Sequence, residues 1–83
     1  MDKLEREVIA IVSQITKTPE ESLRMDTDLR VELNVDSLQG LQIVAAVESR
    51  YGVTVPDDQI DIYTSPSTIA EAIRRLSGEA QGL

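Results

Sequence analysis

Ser37 is the residue of this chain best placed to do chemistry. It follows Asp36 and precedes Leu38, Leu41, Val44, Ala45 and Val47, which recur at the intervals of a helix face, so it falls in the first turn or at the N-cap of a helix. Backbone N–H groups left open at such an end, together with the positive end of the helix dipole, favour a phosphate group. A serine hydroxyl presented there can be esterified by phosphate and hold it stably. The same residues also read as ordinary capping, because an Asp-Ser start commonly does no more than satisfy backbone donors.

Other candidate sites are poorer. Asp26-Thr27-Asp28 opens like a calcium loop, but Arg30 takes the fifth position, Val31 replaces the glycine and Ser37 replaces the final glutamate. Paired carboxylates for acid–base work need a pocket and perturbed acidities, and Asp57-Asp58 is more simply a helix start. The chain has no Cys and no His. The usual zinc ligands, the commonest general base and the cysteine nucleophile are therefore missing, which argues against catalysis by this chain alone.

The elements that must position Ser37 read as a short helical bundle. Eighty-three residues make one small domain, with a core too modest for a cleft and a separate regulatory unit. Leu4, Val8, Ile11, Val12 and Ile15 form a stripe on a first helix over about 2–15, with Asp2, Glu5 and Glu7 near its positive end. Pro19 marks the exit. A long connection over about 18–36 carries Leu23, Met25, Leu29, Val31 and Leu33, too apolar for a solvated linker, and is expected to lie over the bundle as an ordered loop with those side chains tucked in. The second helix spans about 37–51, with Gly52 as its left-handed C-terminal cap. Val53-Thr54-Val55 reads as an extended connection. A short helix is expected at 57–62, and a last helix over 68–77 with Thr68 and Glu71 at capping-box spacing. Residues 78–83 are expected to fray.

The whole string is more specific than any one residue. Leu33-Asn34-Val35-Asp36-Ser37-Leu38, the helix through Glu48 and Tyr51, and then Gly52-Val53-Thr54-Val55-Pro56-Asp57-Asp58 resemble an acyl carrier protein in order, spacing and total size. The resemblance covers nearly the whole chain. It implies an all-α fold, a small four-helix bundle of three longer helices and one short one, with a carrier domain over 1–77 and a tail over 78–83.

The resemblance also implies that a phosphopantetheinyl transferase attaches 4′-phosphopantetheine from coenzyme A to Ser37. The arm supplies the thiol that the chain lacks, and acyl groups ride on it as thioesters between acyl-loading and chain-extending or transferring enzymes. By the same resemblance, Asp36 helps the transferase and its magnesium ion engage the site, and Leu38 belongs to the apolar patch the transferase reads. Leu29, Val44, Val47, Val55 and Ile60 match the positions that line an acyl cavity. Each has a plainer reading beside it: a helix-start charge for Asp36, and core for the apolar residues.

Charge and composition fit a monomeric carrier working in the cytoplasm. The net charge of −7 argues against nucleic acid and favours partners with basic docking surfaces. The N-terminus has mixed charge without an apolar signal core, and no apolar run is long enough to insert in a membrane.

Departures from the family pattern bear on the pathway. Asn34 stands where a Gly is common, a mild change because Asn tolerates left-handed backbone. Gln39, Gly40 and Gln42 occupy positions where fatty-acid carriers show more acid, and Arg50 adds a positive charge. Docking is therefore expected on a more apolar surface around Leu38, Leu41 and Val47, in a specialised lipid or polyketide-type pathway rather than bulk fatty-acid synthesis. An aminoacyl or peptidyl carrier, or a non-carrying interaction module of the same fold, remain the alternatives.

Overall fold

In the computed structural model the helices begin where side chains supply caps, and α1, α2 and α3 end on left-handed residues. The structure describes residues 2–56, 58 and 64–81, with the side chains of 78–81 outside that description. Among the described residues there are four α-helices and no strand: α1 (Lys3–Thr16), α2 (Leu29–Leu33), α3 (Ser37–Tyr51) and α4 (Pro66–Gln81), with a 3₁₀ turn at Glu20–Ser22.

Helix α1 opens on a reciprocal capping box. The Asp2 carboxylate accepts from the Glu5 N–H at 2.9 Å, and the Glu5 carboxylate accepts from the Asp2 N–H at 2.9 Å. The helix closes on Lys17, which takes a left-handed conformation (φ 58°) just ahead of Pro19. Helix α3 has the expected bounds, and Gly52 ends it at φ 64° with its N–H on the Glu48 carbonyl.

Three expectations need correction. The 18–36 connection is ordered but not a plain loop, since it contains the 3₁₀ turn and the five residues of α2. Five residues are too few to show a helical period, so only the caps betray α2. Helix α4 starts at Pro66 rather than Thr68. Ser65 is the capping residue, its hydroxyl accepting from the Thr68 N–H at 3.3 Å, while the Thr68 hydroxyl accepts from the Ser65 N–H at 3.2 Å. Pro66 then sits at the first helical position, where its missing N–H costs nothing. At the other end α4 runs on to Gln81, past the expected stop at 77. The short helix expected at 57–62 lies outside the described residues except for Asp58.

Packing centres on α1, which lies against both α3 and α4, while α3 and α4 touch more sparsely. Val8, Ile9, Ile11 and Val12 from α1 meet Ile43 and Val47 from α3, and Ile69, Ala70 and Ile73 from α4. Leu23 and Leu29 enter the same core from the connection, and Met25 and Leu33 pack against it. Val31 does not: it stands 77% exposed, against the expectation that it tucks in. Backbone bonds tie the connection down, from the Leu29 N–H to the Thr64 carbonyl and from the Ser67 N–H to the Met25 carbonyl, each 2.9 Å.

Candidate functional site

The connection, α2 and α3 together set the position of Ser37. Asp28 caps α2, its carboxylate accepting from the Arg30 and Val31 N–H groups at 3.1 and 3.0 Å, and Glu32 returns a carboxylate to the Asp28 N–H at 2.8 Å. Asn34 ends α2 in left-handed backbone (φ 56°), the conformation that lets Asn stand in for Gly. The chain then reverses through Val35, whose N–H reaches the Leu29 carbonyl at 3.0 Å, and enters α3.

Asp36, rather than Ser37, is the N-cap of α3. Its backbone is extended, its carboxylate accepts from the Gln39 N–H at 2.9 Å, and its carbonyl accepts from the Gly40 N–H at 2.9 Å. Ser37 is therefore the first helical residue, with an exposed side chain. Its hydroxyl makes no hydrogen bond among the described residues, so no base activates it there. Such a hydroxyl is suited to be a substrate for another protein's base rather than a nucleophile in its own active site. A phosphate ester on it would sit at the positive end of a 15-residue helix.

Helix α3 carries apolar residues on two opposite faces. Ile43, Val44 and Val47 are buried, whereas Leu38, Leu41 and Ala45 are exposed. A turn of 3.6 residues places these two sets roughly opposite one another, so the single stripe expected from periodicity is in fact two. Val47, fully buried, cannot belong to a docking surface with Leu38 and Leu41.

The residues matched to an acyl cavity divide as well. Leu29 and Val47 belong to the main core, Val44 and Val55 are buried outside it, and Ile60 lies outside the described residues. Glu48 fixes Val55, its carboxylate accepting from the Val55 N–H at 2.8 Å.

At the far end of α3, Arg50 does not present an unopposed charge. Its guanidinium pairs with Glu7 on α1 at 3.3 Å, and the Tyr51 hydroxyl donates to the same carboxylate at 2.8 Å. The Tyr51 hydrogen bond, seconded by Arg50, holds the Glu7 carboxyl below its ordinary range. Burial, with the Glu7 contact behind it, pushes the Tyr51 hydroxyl up. A second inter-helix pair joins Arg74 of α4 to Asp2. The backbone N–H of Glu5, followed by Arg74, lowers Asp2. No group of three or more His, Cys, Asp or Glu among the described residues is placed to hold a metal ion. No helix among them is long and apolar enough to cross a membrane.

Comparison with known proteins joins these observations. A family model described as a phosphopantetheine attachment site matches residues 6–73. The chain is 30% identical to an acyl carrier protein of Beutenbergia cavernae, covering 94% of this chain and 96% of the relative. It is 30% identical to one of Treponema pallidum (89% and 95%) and 29% identical to one of Rickettsia massiliae (90% and 84%). A small all-helical bundle, an exposed serine opening a helix and this breadth of similarity agree: the chain belongs to the acyl carrier protein family, whose members are carriers rather than enzymes and take phosphopantetheine as their cofactor.

Proposed function

We propose that Ser37 is the attachment point for 4′-phosphopantetheine and that the chain carries acyl intermediates as thioesters on that arm. The observation that carries this reading is the exposed, unpartnered hydroxyl at the first position of α3, in a chain without Cys or His. In the loading step the Ser37 oxygen attacks the phosphorus of coenzyme A that bears the pantetheine. The bond to the adenosine bisphosphate breaks, and the serine proton goes to a base of the transferase. When attached, the group supplies a thiol on a long flexible tether. Presentation at high effective concentration to successive enzymes is then the domain's contribution.

Asp36 holds the start of α3 and offers the transferase's magnesium ion a carboxylate, while Leu38 gives the transferase an apolar contact. Leu29, Val44, Val47 and Val55 supply the apolar interior into which an acyl chain retreats as their packing parts. The pathway reading is a specialised lipid or polyketide-type synthesis in the cytoplasm. It is supported by the outer face of α3, where Leu38, Leu41 and Ala45 lie with the uncharged Gln39 and Gln42.

The decisive experiment is intact mass after incubation with coenzyme A, magnesium and a broad-specificity transferase. The wild-type chain gains one phosphopantetheinyl group and Ser37→Ala gains none. Modification of the alanine variant would overturn the assignment.

A further inference from the structure

Among the described residues the exposed large apolar side chains are Val31, Leu38 and Leu41, at 77%, 65% and 52%, and all fall within residues 31–41 around Ser37. Single exposed apolar residues are ordinary on protein surfaces, whereas their confinement to one short stretch of chain points to a contact surface. Leu38 and Leu41 lie on α3 itself. Val31 lies on the other side of Ser37 in the chain.

The exposure of Val31 is built, not incidental. Leu29, two residues earlier, is 1% exposed and anchored in the core. Two residues are about 200° around a helix, so burying Leu29 turns Val31 outward. Helix α2 is held in that orientation by the Asp28–Glu32 capping pair, by left-handed Asn34 and by the bond from the Leu29 N–H to the Thr64 carbonyl. Nothing in the fold asks for a valine there. It is a poorer helix former than the Lys, Gln or Glu that would suit an exposed position.

We propose that Val31 is an apolar anchor for the phosphopantetheinyl transferase, gripped together with Leu38 as the enzyme reaches Ser37. This rests on the reading of Ser37 as the attachment point. Charge sets the partner's chemistry. Residues 28–41 hold three exposed carboxylates, Asp28, Glu32 and Asp36, against one cation, Arg30, so the matching surface is an apolar socket with a basic rim. Reach is compatible: six residues of chain separate Val31 from Ser37 by at most about 20 Å, within the span of one standard interface.

The test uses the full apo chain, purified transferase, coenzyme A and magnesium, with Val31→Thr, Val31→Ile and Glu32→Gln. Threonine keeps the shape and helix propensity of valine but loses apolar contact. Val31→Thr should raise KM about three- to tenfold with kcat unchanged, and Val31→Ile should restore wild-type KM. The Val31→Thr deficit should persist at high salt, while that of Glu32→Gln shrinks. An unchanged KM in Val31→Thr, or a fall confined to kcat, overturns the anchor. Absence of modification in the wild type would instead overturn the reading of Ser37, so the two failures are distinct.

Discussion

A pair of substitutions separates the capping role of Asp36 from the role proposed for it in loading. As N-cap it accepts one hydrogen bond, from the Gln39 N–H at 2.9 Å. In the proposed loading step its carboxylate, beside Ser37, would also offer charge to the transferase. Asparagine caps as well as aspartate, so Asp36→Asn keeps the hydrogen bond and should cost only a few tenths of a kcal/mol, whereas Asp36→Ala removes the cap and should cost about 1 kcal/mol. For a domain of this size, 1 kcal/mol corresponds to a Tm lower by about 4–8 °C. Total stability of at least about 4 kcal/mol still leaves Asp36→Ala almost wholly folded at 25 °C. Loss of a charged contact to the transferase or its magnesium ion is worth about 1.5–3 kcal/mol, so kcat/KM for modification should fall roughly 10- to 150-fold in both variants. Thermal melts and initial rates of phosphopantetheinylation supply the two numbers. If Asp36→Asn melts and reacts like the wild type, Asp36 is a cap and nothing more.

Gly40→Ala should raise Tm, by up to about 1 kcal/mol of stability, because a Cβ at Gly40 meets nothing within 4 Å and alanine favours the helix; a lower Tm would refute this. Glu7, held below its ordinary range in the fold, stabilises the protein above the unfolded carboxyl's pKa and loses that contribution as pH falls through its folded value. Tyr51→Phe removes the leading cause, so the Glu7 titration followed by carboxyl NMR should move upward, and an unmoved midpoint would contradict the assignment. Replacing Gln39 and Gln42 by Glu should speed acyl loading by a fatty-acid ketosynthase or transacylase at low salt, with the gain shrinking as salt rises. Equal rates at low salt would remove α3 charge as the basis of partner choice.

Features written in local chemistry were legible in the sequence. The bounds of α3, the left-handed Gly52 and the tolerance of Asn34 for the same backbone each depend on a few adjacent residues, and the structure agrees with all three. Where two local signals compete, spacing alone does not rank them. Ser65-Pro66 is a stronger helix start than Thr68 to Glu71, and Asp28 with Glu32 caps a turn in a stretch whose apolar residues read as an ordered loop. Periodicity cannot separate two apolar faces of one helix, so Val47 reads in sequence with Leu38 and Leu41 although it is buried and they are exposed. Contacts between distant residues, such as Tyr51 with Glu7, leave no trace in sequence spacing. The place of Ser37 at the start of α3 is legible because its surroundings, not its type, single it out.

The central place of α1 bears on how the chain is made. Val8, Ile9, Ile11 and Val12 are synthesised before their partners, and three of the seven core residues they meet beyond α1, Ile69, Ala70 and Ile73, follow only with α4. Until then the stripe has only α3 and the connection to cover it, and α3 cannot complete the core alone. The bundle therefore closes only once α4 has been translated. The segment leading into Ser37 is fixed at that same moment, because the bonds from Leu29 to Thr64 and from Ser67 to Met25 form only once the start of α4 has arrived. If Ser37 takes the group proposed above, its modification should therefore depend on completed folding.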